Sequence, residues 1–213
     1  MTRRLAGRSL FGLALGVAAL TTAWTWPSAA QTGAAPGQAP SYSSSGQLYR
    51  PTDYREWVYV TSGLGMTYGP AQAAAGQQPP LFDNVFVTPA AYREFVNSGK
   101  WPDRTMFILE IRRAQENVSI NNGGRTQGDV VAMEAAVKDT QRFPNGGWGY
   151  FAFDGAKGLL DAAAPLPQTA PCYACHKNNT AVENTFVQFY PTLFEVAKRM
   201  GTVKATYDPA RKP

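Results

Sequence analysis

The chain has 213 residues, 20 lysines and arginines against 15 aspartates and glutamates, and a formal charge of +5. Three of the basic residues, Arg3, Arg4 and Arg8, fall in the first 30 positions and no acidic one does, so without that segment the balance is 17 against 15, a charge of +2. With its basic residues scattered and no aromatic interleaving, such a chain shows no nucleic-acid-binding surface, and its charge overstates any attraction to a membrane.

Arg3 to Arg8 open a basic segment, Leu10 to about Ala23 is apolar, and Trp26-Pro27-Ser28-Ala29-Ala30 ends in small residues. This three-part pattern predicts a secretory signal peptide over 1–30, cleaved after about Ala30. The apolar run is shorter than the roughly 20 residues a membrane span needs, and no later stretch reaches that length. Residues 31–47 are rich in Ala, Gly, Pro, Gln and Ser and predict a flexible tether, because too few large apolar groups are present to offset the entropy of ordering. A single domain is expected over 48–206, with a short tail over 207–213 and no internal repeat.

Within the domain, Pro51-Thr52-Asp53 can open a helix carrying Trp57, Val58 and Val60, ended by Gly63 and Gly65. Ala71 to Pro80 reads as loop and Asp83 to Val87 as a short strand. Thr88-Pro89 is a helix start, with Tyr92, Phe95 and Val96 as its apolar face and Gly99 as its C-terminal cap. Thr105 to Arg113 is the strongest strand pattern. Asn117 to Ile120 and Asp129 to Val137 read as strands joined by a turn at Asn121-Asn122-Gly123-Gly124, and Trp148 to Phe153 as another. Cys172 to Met200 reads as mostly helical, with Pro191 interrupting it or starting its last helix. Strands following one another without intervening helices predict an α+β fold: a mainly antiparallel sheet with flanking helices and a helical C-terminal segment.

Cys172-Tyr173-Ala174-Cys175-His176 is the motif that carries chemistry. Two cysteines three apart can reach the two vinyl groups on one haem edge, and the next histidine can supply an imidazole to the iron. The motif predicts one covalent haem c on Cys172 and Cys175, with His176 as the axial metal ligand. A structural disulfide needs no histidine there and staples little chain. A thioredoxin-like pair belongs near a βαβ pattern, which this chain lacks. A zinc site needs more Cys or His than remain. His176 is the sole histidine, so bis-histidine ligation within the chain is excluded. After the initiator, the methionines are Met66, Met106, Met133 and Met200, each in apolar surroundings that suit packing. Only Met200 follows the haem motif. That order argues against a low-spin electron-transfer cytochrome c and favours a five-coordinate iron with an open face.

Lys100-Trp101-Pro102-Asp103-Arg104-Thr105-Met106-Phe107-Ile108-Leu109-Glu110, Val137-Lys138-Asp139, Arg142-Phe143-Pro144-Asn145-Gly146-Gly147-Trp148-Gly149-Tyr150-Phe151 and the haem motif followed by Asn178-Asn179 stand in an order that resembles the cytochrome P460 family. The resemblance covers about Tyr54 to Pro191. It implies an antiparallel sheet carrying one c-type haem, often as a homodimer, in the periplasm. The family includes cytochromes P460, which oxidise hydroxylamine with a lysine cross-linked to the haem and a carboxylate that moves protons. It also includes β-sheet cytochromes c′, which lack the cross-link and bind nitric oxide or carbon monoxide in an apolar, often Phe-lined pocket. An enzyme of the first kind would pass electrons to a soluble redox partner.

By this resemblance the cross-linking lysine is expected in Thr105 to Arg113, and none is there. Lys100 and Lys138 flank that strand in sequence and read as solvated. Glu134 shares a strand face with Val130, Ala132 and Lys138. It is either a catalytic proton relay in the pocket or a surface carboxylate paired with Lys138. Glu110 ranks below it, because Arg112 and Arg113 can pair it. Phe107 is either an aromatic over the open haem face or an ordinary core residue. Trp148 and Tyr150 read as sheet packing. The absent strand lysine favours a nitric oxide binder over hydroxylamine oxidation.

Overall fold

A computed structural model describes residues 39–67 and 79–210. The expected signal peptide, the tether up to 38, most of the Ala71 to Pro80 loop and the last three residues lie outside that range. In chain order the elements are β1 (Leu48–Tyr49), β2 (Val58–Leu64), β3 (Leu81–Val87), α1 (Pro89–Ser98), β4 (Met106–Gln115), β5 (Thr126–Lys138), β6 (Trp148–Ala152), β7 (Asp154–Gly155), β8 (Gly158–Leu159), β9 (Ala162–Ala163), α2 (Pro171–Asn179) and α3 (Pro191–Met200). Short 3-10 turns occupy Tyr54–Glu56 and Val187–Phe189.

Strands β2 to β6 form one antiparallel sheet in sequence order, with β1 paired to β9 and β7 to β8. The expected α+β fold, a mainly antiparallel sheet with flanking helices, is what the chain adopts. Alternation along each strand sends successive side chains to opposite faces. One face carries Met106, Ile108, Met133, Ala135, Val137 and Phe151, closed by Leu48, Tyr54, Trp57, Phe143 and Phe153. The other carries Val87, Phe107, Trp148 and Tyr150, packed with Phe95 of α1 and Leu193, Val196 and Ala197 of α3. Phe95 is fully buried, and burial of such a side chain stabilises by about 1.5–3 kcal/mol. Helix α1 begins at Pro89 after Thr88, and Gly99 closes it with φ 71°. That left-handed conformation suits glycine.

Three local expectations are corrected. The helix expected from Pro51 is a single 3-10 turn, and Val58 to Leu64 is a strand paired with β3. The β-branched Val58, Val60 and Thr61 gain more from a ladder partner than a short helix would offer. Asn117 to Ile120 is loop, because Asn117 and Ser119 take φ of 53° and 56°, which no ladder accepts. The described end of the tether, from Ala39, is docked on the domain. Arg104 Nη2 donates to the Pro40 carbonyl at 2.6 Å, and the Arg142 guanidinium lies 3.8 Å from the Tyr42 ring centre. One aromatic residue in a polar stretch supplies that anchor.

Candidate functional site

Pro171 starts α2, where its missing N–H costs nothing, and the helix carries Cys172, Cys175 and His176 at i, i+3 and i+4. That spacing puts all three on one helical face, and all three line the same cavity. The two cysteines are free thiols. Burial pushes the Cys172 thiol up, and the nearby Glu134 carboxylate adds to the shift.

His176 is held on three sides. Its Nδ1 lies 2.7 Å from the Asn184 carbonyl. A carbonyl can only accept, so Nδ1 carries the proton and Nε2 keeps its lone pair. The ring lies 4.4 Å from Tyr150 and 4.7 Å from Phe186, centre to centre. Burial pushes the imidazole pKa down, which keeps the ring neutral. A neutral imidazole with one nitrogen fixed by a hydrogen bond is the form that ligates a metal.

The cavity has a volume of about 770 Å³, within the range that holds a cofactor or drug-sized ligand. Its sheet wall is built from Val85, Phe107, Leu109, Ile111 and Ala136, and Phe186 and Phe189 add aromatic surface near α2. Two carboxyls interrupt this apolar lining, Asp83 of β3 and Glu134 of β5. Asp83 is buried and its pKa is pushed up to about 6 by that burial. Glu134 is open to the cavity lumen but surrounded by protein. Loss of bulk water raises its pKa first, and repulsion from Asp154 and Asp83 adds to it. Among the described residues that line it, none is a lysine.

Most of the residues singled out in the sequence converge here, with corrections. Glu134 lines the cavity and is not paired with Lys138, whose Nζ lies 2.8 Å from Glu183 Oε2. Lys138 is thus part-buried and engaged rather than solvated, whereas Lys100 is exposed. Phe107 touches the cavity, but its ring is also locked in the core, 4.8 Å from Trp101 and 6.1 Å from Tyr190. Glu110 points to the opposite face. Met106 and Met133 are core residues of that face, Met200 is exposed on α3, and Met66 is the methionine on the cavity wall. Tyr150, read as sheet packing, also forms the platform under His176. Asp83, Asn184 and Phe186 escaped the sequence reading. A charged residue on the Val85–Val87 face of an apolar strand was the available signal for Asp83. A backbone carbonyl leaves no such signal.

Haem fits these residues. The three chemically competent side chains share one helix face, the imidazole is neutral with one nitrogen free, and the space they border is large, mostly apolar and free of a disulfide that would consume the thiols. Comparison with curated proteins finds no match. The Cytochrome P460 family model matches residues 51–187, which holds the five-stranded sheet and the whole of α2. The chain therefore belongs to the cytochrome P460 family, whose members are c-type haem cytochromes.

Proposed function

We propose that the chain is an exported mono-haem cytochrome that binds or oxidises a small nitrogen compound, nitric oxide or hydroxylamine, in this cavity. Thioethers from Cys172 and Cys175 attach the haem and His176 Nε2 ligates the iron. The observation that carries the reading is one helix face presenting Cys172, Cys175 and His176 to a mostly apolar cavity whose sheet wall bears Glu134.

When bound, haem supplies the metal site for the small ligand and the route by which its electrons leave. The Asn184 carbonyl keeps the His176 lone pair directed away from the hydrogen bond. Phe107, Leu109 and Ile111 exclude water and leave room for a compact ligand. Glu134, with its raised pKa, takes a proton from an N–H or O–H of hydroxylamine. Asp83, on the same sheet face, is the next carboxyl able to receive it. These carboxyls favour oxidation; the absence of lysine among the described lining residues favours nitric oxide binding without a cross-link. The basic-apolar-small leader pattern supports export to the periplasm, where a soluble redox partner would accept electrons.

Met66 on the cavity wall supports a second reading, a low-spin electron carrier with Met66 as sixth ligand. The ferrous optical spectrum and intact mass of the mature protein separate these. A mass of polypeptide plus one haem with a high-spin spectrum supports the proposal. Sharp low-spin α and β bands that vanish in Met66→Leu establish the electron carrier instead. A polypeptide mass without haem sinks both.

A further inference from the structure

The carbonyl that holds His176 belongs to a turn that is itself clamped, and Thr185 is the clamp residue that lines the cavity, while Trp101, Lys138 and Glu183 lie outside it. Asn184 sits between Glu183 and Thr185, and both neighbours are tied to Trp101. The Trp101 backbone N–H donates to Glu183 Oε1 at 3.2 Å, and the Trp101 indole N–H donates to Thr185 Oγ1 at 2.8 Å. Lys138 completes the frame. Its Nζ lies 2.8 Å from Glu183 Oε2 and donates to the Trp101 carbonyl at 2.6 Å. The anchor is rigid, because Trp101 is 2% exposed and stacks on Phe95 with ring centres 4.0 Å apart.

The turn does not hold this shape for its own sake. Glu183 has φ 48°, a left-handed conformation that a non-glycine residue adopts only under surrounding constraint. Thr180 Oγ1 lies 2.5 Å from the His176 carbonyl oxygen and 2.9 Å from that of Glu183, its single proton serving one or shared between them, which ties the end of α2 to the same turn. The Glu183 and Thr185 side chains that flank the Asn184 carbonyl are therefore held from Trp101 and Lys138, which lie in the loop before β4 and at the end of β5.

We propose that Lys138, Glu183, Thr185 and Trp101 are positioning residues for the axial imidazole: they aim the Asn184 carbonyl at His176 Nδ1 and so set the basicity of the nitrogen that meets the iron. A firm hydrogen bond at one imidazole nitrogen raises the donor strength of the other, and a stronger donor lowers the reduction potential and stiffens the metal bond. The frame accounts for the part-buried Lys138 and the buried Trp101, neither of which lines the cavity. The inference rests on His176 being the iron ligand.

The test uses the haem-loaded mature protein and two readouts: the ferrous iron–histidine stretching band in the resonance Raman spectrum, and the midpoint potential. Lys138→Met and Glu183→Gln shift the band to lower frequency and raise the potential, and Lys138→Arg restores both toward wild type. Thr185→Val, near-isosteric, does the same more weakly and serves if Lys138→Met does not fold. Wild-type frequency and potential in all folded variants, with only a lowered melting temperature, overturn the inference and leave His176 ligation intact. Absence of the band in wild-type protein whose ferrous haem is high-spin overturns the ligation itself and the inference with it.

Discussion

Arg112 Nε lies 2.6 Å from Glu110 Oε1, the two residues sharing one face of β4 on the side of the sheet away from the cavity. Arg55 Nη2 lies 2.6 Å from the other carboxylate oxygen, Tyr54 donates to the same oxygen, and Asn84 Nδ2 donates to Oε1 at 3.2 Å. Burial alone would raise the Glu110 pKa, but the donors from Arg112, Tyr54, Arg55 and Asn84 outweigh it and hold the carboxyl down to about 2. Both rows of Glu110 partners are thus structural, and the cavity carboxyls are a separate population.

Glu110→Gln removes a buried charge and strands Arg112. Loss of one partner of a buried pair costs about 3–5 kcal/mol, and half-exposed Arg55 places the expected loss near the lower end. The folded pKa lies below the unfolded one, so the stabilisation is present above pH about 4.5 and is lost as pH falls toward about 2. Urea unfolding of wild type and variant at pH 7 and pH 3 measures this. Equal stability gaps at the two pH values would refute it.

Asp83 has the opposite sign. Its folded pKa, about 6, lies above the unfolded value of 3.8, so its contribution is most favourable below pH 3.8 and is lost as pH rises through about 6. Asp83→Asn therefore gains on wild type between pH 4 and pH 7, on the order of 2 kcal/mol by the linkage relation. Unfolding midpoints across that interval report it; a gap that stays constant with pH would show that Asp83 does not titrate there.

Glu134→Gln keeps the volume of the side chain and removes the base. Hydroxylamine oxidation should fall by about 10²-fold or more, the usual worth of a positioned proton acceptor, while haem content and nitric oxide affinity stay at wild-type values. Stopped-flow turnover with an artificial acceptor and nitric oxide titration give the two numbers. Unchanged turnover would remove Glu134 from proton transfer.

Gly149 pairs with Val137 across β5 and β6, and a Cβ there would enter the Phe143 ring well inside contact distance. Gly149→Ala should cost about 1–3 kcal/mol through overpacking, with an unshifted optical spectrum because Phe143 lies on the face away from the cavity. Thermal unfolding followed beside the Soret band checks both halves. A spectral change at unchanged stability would contradict the assignment of this face.

Local chemistry was legible in the sequence. Cys172, Cys175 and His176 lie within one helical turn and a residue, so their common face follows from spacing alone. The strand over 106–115, the helix start at Thr88-Pro89 and the Gly99 cap were legible for the same reason: period, proline geometry and glycine's left-handed freedom act over a few residues. The helix expected from Pro51 failed because β2 is stabilised by β3, whose paired residues run from Val87 opposite Val58 to Phe82 opposite Leu64, beyond the reach of local pattern. The site's remaining parts also come from distant pairings. Glu134 and Asp83 reach one cavity because β3, β4 and β5 align in register, and Lys138 turns from Glu134 to Glu183 because the loop after α2 folds back over the end of β5. The hydrogen bond on His176 comes from a main-chain carbonyl, a group every residue has, so only the tertiary fold decides which one arrives.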